Sequence, residues 1–98
     1  MEMVTLGRTG LQVSRLGVGL AELGHISLDE VSTAENILVS ALDGGINFFD
    51  TAECYGNSEE LIGNTVSHRR HEIVLATKAG HVSTGSSGKN WTGKAIKE

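Results

Sequence analysis

With 98 residues, 39% of them hydrophobic and 20% charged, and a formal net charge of −4, the chain has the composition of one small globular domain and lacks the basic surplus of a nucleic-acid or anionic-membrane surface. A single cysteine, Cys54, excludes an internal disulfide, and the opening MEMVTLGRTG has neither the basic stretch nor the apolar run of a signal peptide, so a reducing, cytoplasmic setting is expected. No stretch approaches the roughly 18 apolar residues of a membrane-spanning helix.

The first element is read from MVTLGRTGLQVS, in which apolar and polar residues alternate on both sides of Gly7-Arg8-Thr9-Gly10, and this predicts a β-hairpin over residues 1–14. RLGVGL follows as a short strand that places Leu16, Val18 and Leu20 on one face and Gly17 and Gly19 on the other, where something can approach closely. A helix is expected from SLDE onward: Ser27 and Glu30 have capping-box spacing, Asp29 and Glu30 suit the positive end of the dipole, and Val31, Ala34, Leu38 and Ala41 continue at helical period. Gly44 and Gly45 stop it, and INFFD returns as a strand. Asn57 or Ser58, with Glu59 and Glu60, opens a second helix with the stripe Leu61, Ile62 and Val66, and EIVLATK is a third strand.

Val18 to Phe48 is 30 positions and Phe48 to Leu75 is 27, the length of a βα unit, so residues 15–78 are expected to form βαβαβ with successive parallel strands. Residues 79–98, rich in glycine and serine, read as a long loop and the start of a helix.

The chemistry is expected at the strand ends. Ile46 and Phe48 share a face with Asp50, and Val74 and Ala76 share one with Lys78, so a carboxylate that follows an apolar, buried-looking strand can pair with an ammonium at the carboxyl end of its neighbour. Parallel α/β folds place ligands at those ends, although a purely structural ion pair accounts for the two residues equally well. Tyr55 adds a third group from the loop that leaves the same strand. A nearby ammonium stabilises phenolate, so the three together form a proton donor suited to a carbonyl oxygen, with Asp50 holding Lys78 in place and charged.

The segments LGRTGLQVSRLGVGL, GINFFDTAECYGNSEELIG and IVLATKAG, in this order and spacing, resemble the amino-terminal part of the aldo-keto reductases over essentially the whole chain. The resemblance implies the amino-terminal hairpin and first three strands of a (β/α)8 TIM barrel, truncated before closure. It implies NADP(H) as cofactor and aldehydes or ketones as substrates. From the family's tetrad, Asp50, Tyr55 as proton donor and Lys78 are present, while the histidine follows a fourth strand and most phosphate contacts come from the last strands. Gly19 and Leu20 match the segment beside the nicotinamide, together with Asp50, and Glu59 matches an acidic signature position that reads as a helix-start residue. A small-molecule carbonyl substrate is the implied partner. The alternatives are a non-enzymatic fragment that self-associates through exposed sheet edges, and a TIM barrel of different chemistry.

Other apparent motifs carry less. GVGLAE has Glu22 where a dinucleotide fingerprint needs glycine, and GSSGKN lacks the spacing of a P-loop. His81 follows the third strand rather than the fourth, His25, His68 and His71 are expected at the surface without metal-ligand spacing, and Cys54 reads as a loop thiol.

Overall fold

The computed structural model describes residues 1–80 of the chain. Apart from its first two residues, the loop-and-helix segment expected at 79–98, with His81, lies outside the described residues.

The hairpin forms as the alternation dictates. Strand β1, Met3–Thr5, pairs antiparallel with β2, Gln12–Ser14, with Val4 opposite Val13, and the turn is closed by Leu6 N–H donating to Leu11 O at 2.9 Å. Gly7 and Gly10 take φ of +52° and +77°, a region that side chains with a Cβ rarely adopt. Asn47 fastens the hairpin to the rest of the molecule: its Oδ1 accepts from Ser14 N–H at 2.7 Å, its own N–H donates to Ser14 Oγ at 3.0 Å, and its Nδ2 donates to Gln12 O at 3.0 Å.

Three short parallel strands make the central sheet: β3 is Gly17–Gly19, β4 is Phe48–Asp50 and β5 is Val74–Ala76, in the order β3-β4-β5. Val18, Phe49 and Leu75 sit side by side in the register, as do Gly19, Asp50 and Ala76. Because successive side chains point to opposite sides, the first row faces the helices and the second faces away from them. Phe49 is fully buried, with Val18 and Leu75 packed against the same core.

Two helices cover that inner row. Helix α1, Val31–Asp43, buries Ala34, Leu38 and Leu42, and α2, Ser58–Val66, buries Leu61, Ile62 and Val66, the predicted stripe. With Leu20, Leu23 and Ile73 these form one continuous apolar cluster. Arg69, in the 3-10 segment Ser67–Glu72 that follows α2, bonds Asp43 at the end of α1 at 2.9 Å and Glu72 at 2.8 Å.

Three expectations change. Leu16 is 57% exposed rather than on the buried face, because the strand begins only at Gly17 and Leu16 belongs to the link from the hairpin. The first helix opens with a 3-10 turn, Leu28–Glu30, and Ser27 Oγ accepts from Asp29 N–H at 3.2 Å, so Ser27 caps that turn rather than α1. Asp50 is also no buried charge: its side chain is 54% exposed, because position 50 lies on the row that faces away from the helices.

Candidate functional site

Lys78 reaches back across the strand ends and donates to Asp50 Oδ1 at 2.7 Å and to Thr51 O at 2.9 Å. The loop leaving β4 is held against the chain leaving β5 by Thr51 N–H to Ala76 O at 2.8 Å and Glu53 N–H to Lys78 O at 3.2 Å. The hydrogen bond with Asp50 raises the Lys78 pKa above its ordinary 10.5, against the opposing effect of desolvation and with smaller help from the Tyr55 oxygen. Lys78 is therefore an ammonium at neutral pH, and its nitrogen lies 5.3 Å from the centre of the Tyr55 ring, within cation–π range. The structure thus brings Asp50, Tyr55 and Lys78 together.

Tyr55 is placed by a contact between two glycines. After β3 the chain makes a 3-10 turn, Glu22–His25, and Gly24 in that turn packs directly on the backbone of Tyr55 and Gly56. A Cβ on Gly24 would collide with Tyr55 O and lie 2.6 Å from its carbonyl carbon, and one on Gly56 would lie 2.5 Å from Gly24 O. Gly56 also takes φ of +51°. Asn57 completes the junction, its Nδ2 donating to Ile26 O at 3.0 Å and its N–H to Gly24 O at 3.3 Å. Asn57 Nδ2 is thus turned toward Ile26, and the residue makes no side-chain cap to α2. Gly24 carries no spacing signal in the sequence, so its part in placing Tyr55 was not legible there.

Gly19 lies beside Asp50 in the sheet, and among the described residues a Cβ on it would meet nothing within 4 Å, so these residues leave the outward face of β3 open next to the Asp50–Lys78 pair. Leu20 is different: its side chain is buried in the core, and only its backbone belongs to the strand end, its N–H donating to Asp50 O at 2.9 Å. Glu59, in the first turn of α2, accepts from Thr77 Oγ1 at 2.6 Å. Thr51, which the sequence did not single out, and Ser58, read there only as a helix-start residue, share a fully buried hydroxyl–hydroxyl bond of 2.7 Å.

Cys54, His25, His68 and His71 are all exposed. A cavity of about 180 Å³ lined by Gly24, His25, Cys54, Tyr55 and Gly56 adjoins the Tyr55 loop. A groove of about 170 Å³ between α2 and β5 is lined by the apolar Ile62, Val66, Ile73 and Leu75 with Glu59 and Arg70 among its polar neighbours, beside a strand that is an edge among the described residues. Among the described residues no group of three or more His, Cys, Asp or Glu could hold a metal ion, and no helix is long and apolar enough to cross a membrane.

Residues 15–97 match the model of the aldo/keto reductase family. The chain is 43% identical over 89 residues to the uncharacterized oxidoreductase YqkF of Bacillus subtilis, covering 88% of the chain and 28% of that protein. It is 38% identical over 85 residues to the aldo-keto reductase YhdN of the same organism, covering 80% of the chain and 25% of that protein. The structure resembles the holo form of the aldo-keto reductase AKR11C1 from Bacillus halodurans with a TM-score of 0.74 and 35% identity, over 90% of this chain and 29% of that one. The chain thus spans about a quarter of the length of these curated relatives. The mixed α/β fold corresponds to part of a TIM barrel, and the described strands form no closed barrel, since β3 and β5 each pair only with β4.

Proposed function

The chain belongs to the aldo/keto reductase family, and from that premise we propose that it carries the proton-donating part of an NADP(H)-dependent active site that reduces aldehydes or ketones to alcohols. The observation that carries this reading is the meeting of Lys78 with Asp50 Oδ1 at 2.7 Å and with the Tyr55 ring at 5.3 Å. Asp50 keeps Lys78 charged and fixed. The ammonium in turn stabilises the negative charge that develops on the Tyr55 oxygen as its proton passes to the substrate carbonyl oxygen. The Tyr55 O–H bond breaks as the alcohol O–H bond forms, and the phenol regains its proton from solvent. NADPH, when bound, supplies the hydride that the carbonyl carbon accepts.

The residues present suit the reduced nicotinamide. Gly19 offers no side chain on the outward face next to Asp50, and the space that the described residues leave there is what a flat ring needs to approach the strand ends. Gly19, the Leu20 backbone and Asp50 would hold that end of the cofactor. The activity is proposed for a polypeptide that includes the rest of the barrel the relatives span. In such a polypeptide Tyr55→Phe should lower turnover by about 10²–10⁴ with KM little changed, as for loss of a general acid. Unchanged turnover would overturn the assignment.

A second reading is favoured by the two strand edges. Among the described residues β3 and β5 each have one unpaired side, and such edges template pairing with another chain. On this reading the 98 residues by themselves form a non-enzymatic unit that self-associates.

A further inference from the structure

The two acceptors of the Lys78 ammonium come from consecutive residues, Asp50 and Thr51. Thr51 is fixed from two directions: its N–H donates to Ala76 O at 2.8 Å, and its hydroxyl is paired with Ser58 Oγ at 2.7 Å where neither side chain meets solvent. Just past the end of β5 the residue before Lys78, Thr77, donates its hydroxyl to Glu59 Oε2 at 2.6 Å. Ser58 and Glu59 are adjacent in the first turn of α2, and Ser58 N–H donates to Tyr55 O at 2.9 Å. One helical turn therefore grips the residue after Asp50, the residue before Lys78, and Tyr55 itself.

We infer that Thr51, Ser58 and Glu59 are positioning residues that hold the Thr51 carbonyl and the Thr77–Lys78 backbone where the Lys78 ammonium meets both of its acceptors. A hydroxyl pair buried between a sheet and a helix contributes to stability wherever it occurs. Here the backbone it fixes is itself an acceptor of the ammonium, so loosening it acts on Lys78 as well as on stability. Thr51→Val would leave the Ser58 hydroxyl buried without its partner, and the strand end and helix start would part to let it find water. The Thr51 carbonyl would move with them. Glu59 acts from the exposed side, tying the backbone just before Lys78 to the same turn.

The inference rests on the proposed role of Asp50, Tyr55 and Lys78, but what it asserts is a property of one ammonium that is measurable without turnover. The probe is acylation of lysine amines by a water-soluble anhydride across mildly alkaline pH, followed at Lys78 by peptide mass spectrometry. Only the uncharged amine reacts, and far-UV circular dichroism reports the fold of each variant. In Thr51→Val and Ser58→Ala the Lys78 rate should rise about three- to tenfold, with its midpoint moved to lower pH, as one hydrogen bond to the charged form is weakened. Thr77→Val, which removes the hydroxyl that Glu59 accepts from without changing any charge, should raise it about two- to threefold, while Thr51→Ser, which keeps the hydroxyl, should stay near wild type. Unchanged Lys78 rates in folded Ser58→Ala and Thr77→Val would overturn the inference, as would a Thr51→Ser rate equal to that of Thr51→Val. Should the two buried variants fail to fold, exposed Thr77 decides alone: a faster Lys78 supports the inference and an unchanged one ends it. Failure of the catalytic reading is distinct, since it would appear as normal turnover in Tyr55→Phe with these Lys78 rates unaffected.

Discussion

Gly24→Ala isolates the junction that places Tyr55. The added Cβ would stand 2.6 Å from the Tyr55 carbonyl carbon and 3.3 Å from Gly56 N, and the atoms it meets are backbone rather than the ends of side chains. Carbon atoms rest at about 3.5–4.0 Å, so the turn after β3 and the loop after β4 must separate by about 1 Å. Overpacking of this kind costs about 1–3 kcal/mol. Against it stands a gain of about 0.4–1 kcal/mol from the less flexible unfolded chain. The clash is the larger effect, and a net loss of about 1–2 kcal/mol corresponds to a fall in Tm of about 5–15 °C for a domain this small. Gly63→Ala is the matched control, because Gly63 lies inside α2 with nothing within 4 Å of its would-be Cβ among the described residues, and it should raise stability by about 0.5–1 kcal/mol. In a polypeptide that completes the barrel, a displacement of about 1 Å at the proton donor should lower turnover by about 10²-fold. Thermal unfolding of the variants beside wild type, with turnover measured per folded molecule, tests both effects. A Gly24→Ala protein as stable as wild type and equally active would show that the glycine contact does not place Tyr55.

Leu38, fully buried where α1 meets the sheet, should cost about 2–5 kcal/mol when replaced by alanine, read as a lower denaturant midpoint at constant m; a loss below about 1 kcal/mol would place the core elsewhere. The Asp50–Lys78 pair sets an alkaline limit: the folded Lys78 pKa is raised, so its contribution is fully present below the unfolded value of 10.5 and is lost as pH rises through the higher folded value. Asp50→Asn should therefore be less stable than wild type at neutral pH, with the difference shrinking only above 10.5; a difference independent of pH through that range would contradict the pairing. With one side each of β3 and β5 unpaired among the described residues, the 98-residue chain should also self-associate, giving a scattering mass above the 10.4 kDa monomer that rises with concentration, and a strictly monomeric species at all concentrations would refute this.

Local pattern alone determined the element order and the pairing. The change from period two to helical period, the glycines at 44 and 45, and the near-equal spacing of Val18, Phe48 and Leu75 were enough to give successive parallel strands, and the structure pairs them so. Period two also placed Asp50 and Lys78 at adjacent strand ends, and the 2.7 Å bond between them follows from that placement. The burial of Asp50 was misread because an apolar run looks alike whether one or both of its faces are covered, and Leu16 because its alternation with Val18 does not show that the strand starts only at Gly17. Which row of the sheet the helices cover is settled only when α1 and α2 dock, and that docking turns Phe49 inward and Asp50 outward. The contacts that hold the site are likewise tertiary. Gly24 meets Tyr55 and Gly56 across about thirty residues, and Glu59 meets Thr77 across eighteen. Such contacts leave no periodic trace, because they arise where the ends of separate elements converge, and that convergence depends on how the whole core packs.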